Sequence, residues 1–428
     1  MRRLLLAIAL LLAGPFAWAQ QLPILFVHGD QESATIWQTQ IWRFESNGYD
    51  PKLLSAISFT HPKHRDFDHQ PQANRSSTED QLAELGAMVD KVLTESGQTK
   101  LVLIASSRGG NSVRNFIKHG GKDKVALAIL CGTPNHGVYR LPFRWDVEFN
   151  GIGPFLRGLN NPETVDGVRY VTLRSDHNDK FAQPFGQYVG FPHIPTFVGS
   201  DGAALKGAEN IVLPGLDHKE VAFHRLAFAE LYRAVTGAEP QTLDFVEEAA
   251  PALSGVVSGW ENEAPTNLPL AGATVQAFEV LPASGERKGD AVFSQTTGAD
   301  GVWGPFTADP HAYYEFVITV DGYPVTHFYK TPFARSSRHV FWRLQPLAKA
   351  DVAMVTLFRP RGYFGKGRDI IQIDGAAPDD VPGGVPSVDK ASKVYPASPA
   401  RSVTMRFNDE NLAVRTFENQ RVVAELHN

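Results

Sequence analysis

The stretch Leu101-Val-Leu-Ile-Ala105-Ser106-Ser107-Arg108-Gly109-Gly110 constrains the fold more than any other part of this 428-residue chain. A run of apolar residues without alternation reads as a strand buried on both faces. The residues after it, Asn111 to Lys118, place Val113, Phe116 and Ile117 at helical spacing. A buried strand that turns into a helix through small-x-Ser-x-Gly is the pattern of a nucleophile elbow, which lifts a serine hydroxyl to the top of a parallel sheet. Small residues are needed at Ala105 and Gly109 because a larger side chain would meet the neighbouring backbone. The motif is short, so its reading depends on what surrounds it.

The flanking segments alternate between strand and helix. Leu22 to Val27 is an apolar run ending in His28-Gly29-Asp30; Ile36, Trp37, Gln40, Ile41 and Phe44 recur at helical spacing until Asn47-Gly48. Thr78-Glu-Asp-Gln81 is expected to cap a helix carrying Leu82, Leu85, Val89 and Val92. Strands are then predicted at residues 125–131, 168–173, 194–198 and 211–213, with a closing helix from about Val221 to Val235. This order implies an α/β fold with a mostly parallel sheet over residues 20–240. Beyond Pro251 the apolar runs are short, alternating and bounded by turn residues, so one or two all-β sandwich or barrel-like domains are expected, at 251–348 and 349–428. Aromatics there, such as Trp303, Tyr314 and Phe328, are expected in the core, and Arg335, Arg338, Arg359, Arg361 and Arg368 at strand edges or in loops.

At the other end, Met1-Arg2-Arg3, the apolar run Leu4 to Ala13 and Ala17-Trp18-Ala19 form a secretory signal peptide over residues 1–19, so a secreted or periplasmic protein is expected. A net charge of −5 with no Lys/Arg block argues against nucleic acid as a partner. The single cysteine, Cys131, has no intrachain partner and sits in an apolar run, where a buried, inert thiol is expected. His61, His64 and His69, with Asp66 and Asp68, lack the i, i+4 helical spacing that zinc enzymes favour; neither metal nor cofactor is expected.

Serine is a weak nucleophile without a base, an orienting acid and an oxyanion hole. With 14 histidines in the chain, position must select the base. His218, after a strand and just before the last helix, can swing over the elbow. Asp179 is the preferred acid and Asp176 the alternative, the other one bracing the loop. The oxyanion hole is expected from the backbone N–H groups of Arg108 and Asp30. His28 should brace the loop after the first strand, and Arg108 is expected to pair with Asp30.

Pro23-Ile-Leu-Phe-Val27-His28-Gly29, Ala105-Ser-Ser107-Arg-Gly-Gly110, Gly132-Thr-Pro-Asn-His136-Gly137 and Gly215-Leu-Asp-His218 together resemble the secreted bacterial lipases and esterases of the α/β-hydrolase fold. The resemblance covers about residues 20 to 237. It implies a carboxylic ester hydrolase that uses Ser107, His218 and Asp179 or Asp176, and the added β region resembles the C-terminal β domain of two-domain lipases. Ser106 and Arg108 stand where that group usually carries His and Met. The leading expectation is a lipase acting on acylglycerols, with peripheral contact to a lipid interface left open. An extracellular polyester (polyhydroxyalkanoate-like) depolymerase and a non-catalytic lipid- or surface-binding protein are the alternatives. The aromatic-rich insertion around Phe143, Trp145 and Phe149 is read either as a lid or as local packing.

Overall fold

The computed structural model describes residues 21–347, 352–397 and 399–427; the expected signal peptide lies outside the described residues. The N-terminal unit is built on strands β1 (Ile24–Val27), β2 (Leu54–Ala56), β3 (Leu101–Ser106), β4 (Val125–Cys131) and β5 (Arg169–Ser175). Two short strands, β6 (Phe185–Gly186) and β7 (Phe191–Pro195), precede β8 (Glu209–Leu213). Six of these form a parallel sheet in the order β2-β1-β3-β4-β5-β8.

Every residue of β1 and β3 is buried, as an unalternating apolar run requires when both faces are covered. Successive side chains still go to opposite faces. Ile24, Phe26, Val102 and Ile104 pack with Ile41 and Phe44 of helix α1 (Gln38–Ser46) and with a C-terminal helix around Phe228. Leu25, Val27, Leu101 and Leu103 pack on the other side with α2 (Thr78–Ser96) and α3 (Arg108–Phe116). The order reverses direction between β1 and β3, so a crevice opens at their C-terminal ends. His28-Gly29-Asp30 and Ser107 stand at that crevice.

Several boundaries differ from the sequence reading. The capping box of α2 uses Ser77 and Asp80, one residue earlier, since the Ser77 hydroxyl accepts from the Asp80 N–H and the Asp80 carboxylate from the Ser77 N–H. After α4 (Pro154–Leu159) in the insertion, the predicted closing helix is two helices, α5 (Glu220–Phe223) and α6 (Arg225–Thr236). His224 breaks them apart in extended conformation and caps α6 by accepting from the Leu226 N–H. The strand expected at residues 194–198 is instead β7, paired antiparallel with β6 in a hairpin off the main sheet and largely exposed.

The β region is organised around one seven-stranded sheet. Its strands, in order, are Phe293–Thr296, Thr274–Val280, Tyr313–Thr319, Thr326–Lys330, Arg421–Glu425, Ala353–Phe358 and Lys390–Tyr395. Strands from both predicted β segments therefore lie in the same sheet, and Arg421–Glu425 runs parallel to both of its neighbours. On one face Phe316, Phe328 and Val423 pack with Trp303, Phe306 and Trp342 of a smaller sheet. On the other, Tyr329, Val355, Leu357 and Val422 pack with Val403, Met405 and Val414 of a three-stranded sheet. The aromatic residues are core, as expected.

This region grips the α/β unit directly. The indole of Trp42, on α1, packs in the β-region core and donates to the Ser336 carbonyl at 2.9 Å. Arg361 is buried and donates to the carbonyls of Ile36 (2.9 Å) and Thr35 (2.7 Å). No described helix is long and apolar enough to cross a membrane.

Candidate active site

Ser107 sits between β3 and α3 with φ 52° and ψ −125°, a conformation sparsely populated by L-residues and held only when the surroundings over-determine it. The surroundings do so by close approach. A Cβ on Gly109 would stand 2.4 Å from the His28 carbonyl oxygen and 2.8 Å from that of Val27, so α3 can start against β1 only with glycine there. Gly110 is pressed in the same way against Thr133, and Gly29 against the Ser107 Cβ. The Ser107 N–H donates to the Cys131 carbonyl at 2.8 Å, tying the corner to β4.

The Ser107 Oγ lies 2.9 Å from His218 Nε2, and His218 Nδ1 lies 2.8 Å from Asp179 Oδ2. His218 and Asp179 are buried. The ring of Phe181 meets the imidazole edge-on at 4.6 Å between centroids. Asp176, the alternative acid, faces away from the histidine: its carboxylate accepts from the N–H groups of His177, Asn178 and Gly215 and braces its own turn. These backbone donors hold its carboxyl below the usual range, although burial pushes the other way. Asp179 Oδ1 accepts from the Phe181 N–H at 2.8 Å, which leaves Oδ2 for the imidazole.

The N–H groups of Asp30 and Arg108 flank the serine, and neither has an acceptor among the described residues. That of Arg108 belongs to the first turn of α3, where backbone donors have no intrahelical partner. His28 braces the loop: Nδ1 bonds the Gly29 carbonyl at 2.7 Å, and Nε2 accepts from the Phe59 N–H at 3.0 Å. Burial lowers its pKa to about 3, so the ring stays neutral. Cys131 is buried, and burial alone pushes its thiol far up.

The expected pairing of Arg108 with Asp30 is present as an ion pair at 3.9 Å, and each partner also makes a closer one. Arg108 forms a buried fork with Glu148, Nε to Oε1 at 2.5 Å and a terminal nitrogen to Oε2 at 2.8 Å. Its remaining N–H groups reach the Pro62 carbonyl (3.1 Å), the Ser76 hydroxyl (3.0 Å) and the Ser76 carbonyl (2.8 Å). Asp30, 3.9 Å from the guanidinium, hydrogen-bonds His64, at 3.1 Å to the ring and 2.8 Å to its N–H. Only Glu148, brought in by the insertion, meets the guanidinium plane with both oxygens. Arg108 thereby fastens the elbow, the loop through Ser76 and the insertion together. Within the insertion Tyr139, Leu141 and Val147 are buried, while Phe143 and Trp145 remain exposed.

The sequence reading missed the anchoring of the His218 loop. Asp217 and Glu220 are buried; Glu220 pairs with Arg359 (2.5 Å) and Arg368 (2.8 Å), and Asp217 accepts from the Tyr363 N–H at 2.7 Å. Burial, with Glu220 next to it, raises the Asp217 pKa to about 6. Arg359 and Arg361 are buried clamps, not edge charges. Only the unusual density of arginines at 359, 361 and 368 hinted at this.

Ser107 opens into a cavity of about 820 Å³ between the two parts of the chain. Its lining includes the apolar residues Val138, Val147, Phe149, Phe181 and Phe191, with Tyr139 and Arg144 among them. Among the described residues no group of three or more His, Cys, Asp and Glu has the arrangement of a metal site.

Residues 21–130 match the class 2 lipase family, and residues 252–347 match the lipase C-terminal domain. Asp179 and His218 lie outside both ranges. The mature form of the Bacillus licheniformis lipase BlEst2 aligns at 21% identity over 50% of this chain and 92% of that one, with a TM-score of 0.38. Its propeptide form aligns at 16% identity over 92% of each chain, also with a TM-score of 0.38. Aspergillus fumigatus lipase B aligns at 16% identity over 52% of this chain and 54% of that one, with a TM-score of 0.35. No curated protein matches the chain. With a lipase match on either side of the junction, an elbow serine and a parallel sheet, the chain is a carboxylic ester hydrolase of the lipase and esterase group, an α/β-hydrolase unit followed by a C-terminal β region.

Proposed function

We propose that this protein is an exported lipase that cleaves acylglycerol esters with Ser107 as nucleophile, His218 as base and Asp179 as the orienting acid. The observation that carries the reading is the continuous hydrogen-bonded chain from Asp179 through His218 to a serine in strained backbone conformation. His218 Nε2 takes the Ser107 proton as Oγ attacks the ester carbonyl, and Asp179 holds the Nδ1–H tautomer and stabilises the imidazolium. The N–H groups of Asp30 and Arg108 receive the oxyanion. His218 then returns the proton to the leaving alcohol, and water cleaves the acyl-enzyme by the same steps in reverse. The acyl chain lies along Val138, Tyr139, Val147 and Phe191.

Export rests on the basic, apolar and small-residue order of residues 1–19; a mature N-terminus near Gln20 in the extracellular or periplasmic fraction tests it. For the reaction, Ser107→Ala is assayed with p-nitrophenyl esters of increasing chain length. Hydrolysis should vanish at every length, and retained turnover in pure variant protein would refute the reading. Rates on emulsified triacylglycerol against polyester film separate the lipase from the depolymerase.

A further inference from the structure

The cavity that holds Ser107 has two unlike ends. The part supplied by the insertion is mostly apolar, with Arg144 over the Phe191 ring, whereas the wall supplied by the β region and the loops facing it carries Lys180, Lys219, Lys390 and Arg421, with Lys and Arg outnumbering Asp and Glu. The acids on the lining are already engaged. Asp30 is held by His64 at 3.1 Å, Glu32 and Asp389 by Lys219 at 3.6 and 2.8 Å, and Glu425 by Lys330 at 3.0 Å.

Three of the cations have no carboxylate within 4 Å among the described residues. Lys180 Nζ donates to the Ser387 carbonyl at 2.9 Å and stands 4.1 Å from the Tyr363 ring centroid. Lys390 lines the cavity and lies over the Phe358 ring at 5.1 Å. Arg421 donates to the Pro346 carbonyl (2.8 Å) and the Gln345 side chain (3.0 Å). Asp389 attracts both Lys180 and Lys390, while Lys219 repels both and Arg421 repels Lys390. Burial and this repulsion bring the Lys180 pKa down to about 8, and burial lowers those of Lys390 and Arg421. A concave wall with a surplus of positive charge focuses potential on whatever enters it. Neutral fat offers such a wall no counter-charge; a carboxylate or phosphate does.

We infer that this wall is a subsite for an anionic oxygen group, a carboxylate or a phosphate, on the alcohol side of the scissile ester. The side follows from the layout: the acyl chain occupies the apolar end, so the leaving alcohol extends toward Lys180, Lys390 and Arg421. Lys180 and Lys219 adjoin Asp179 and His218 in sequence, which puts the cationic wall next to the hydrolytic centre. The preferred substrates are then esters whose alcohol part is charged, and the inference rests on the ester-hydrolase reading above. A phosphoglyceride supplies the anion as phosphate, and a hydroxy-acid oligomer supplies it as a terminal carboxylate.

The test uses two matched pairs of soluble esters: dibutanoylglycerol against its phosphate monoester, and the 3-hydroxybutanoate dimer against its methyl ester. The quantity read is the ratio of kcat/KM for the anionic member to that for the neutral one. At least one pair should give a ratio well above one, and the pair that does so identifies the source of the anion. In Lys390→Gln and in Arg421→Gln that ratio should fall by about fivefold or more. Raising salt on the unaltered protein should lower it as well, which keeps the test independent of how the variants fold. Ratios at or below one in both pairs, or a high ratio indifferent to salt and to both substitutions, overturn the inference. Loss of neutral-ester cleavage dependence on Ser107 would overturn the hydrolase reading instead, so the two failures are distinguishable.

Discussion

Replacing Arg108 with Met removes the charge from the elbow and leaves the rest of its machinery in place. In the folded protein the guanidinium uses all of its N–H groups, on Glu148, Ser76 and Pro62, and is almost fully buried. Met fills part of the volume but strands the Glu148 carboxylate, whose pKa burial already pushes up against the pull of Arg108. Removing one partner of a buried ion pair typically costs about 3–5 kcal/mol. In a domain of this size that corresponds to a fall in Tm of about 6–20 °C. Arg108→Met combined with Glu148→Met should recover most of the loss, because a buried pair replaced by apolar side chains is often neutral or stabilising. The assay is urea unfolding followed by near-ultraviolet circular dichroism, with the α/β-unit transition fitted separately since a chain with two parts need not unfold in one step. A single variant within about 1 kcal/mol of the parent, or a double variant no more stable than the single, would refute the reasoning.

Asp179→Asn should lower kcat by about 10⁴-fold through the wrong imidazole tautomer. Asp176→Asn should cost far less in rate and act chiefly on stability, and steady-state kinetics on a soluble ester separates the two. Gly109→Ala places a methyl against two carbonyl oxygens of β1 and should destabilise by about 3 kcal/mol or more, with a matching loss of activity in the soluble fraction; a Tm unchanged from the parent would contradict the close approach. Acid should unfold the protein early. His28 and His339, both lowered to about 3, and His427, lowered well below its usual range, are buried neutral, so between pH 6.5 and about 3 the unfolded chain binds protons that the folded chain refuses. Stability is therefore retained above pH 6.5 and lost as pH falls, each of the three approaching about 1.4 kcal/mol per pH unit well below 6.5; His64, raised by Asp30, acts only above pH 6.5, where the stability it adds is lost as pH rises. Denaturant midpoints measured between pH 7 and 5.5 check the slope.

The parallel core was readable because β1 and β3 carry unbroken apolar runs, a pattern that depends only on burial of both faces. The elbow was readable because a close backbone approach leaves few residue types. What the sequence left open depends on direction and distance. Asp176 and Asp179 are the same residue type three positions apart, and only the turn decides that one caps its own backbone while the other faces His218. The break at His224 was hidden inside an apolar period that continues on both sides of it. The motif shows Asp30 as an acid within ion-pair reach of Arg108, but its closer partner Glu148 arrives from an insertion without periodicity. The clamps Arg359 and Arg361 read as ordinary loop charges because their partners lie far back in the chain.

Strand Arg421–Glu425 is bordered on one side by Thr326–Lys330 and on the other by Ala353–Phe358. A strand in that position cannot leave without creating two raw sheet edges at once and opening both apolar layers that Val422 and Val423 help to fill. The β region is thus a single cooperative unit that gives way all or none rather than fraying from one segment. Its clamps follow directly on Ala353–Phe358, Arg359 on the His218 loop through Glu220 and Arg361 on Thr35 and Ile36, so both holds are kept in full or released in full. Partial loosening of the β region, with the His218 loop still half restrained, is not a state this topology favours.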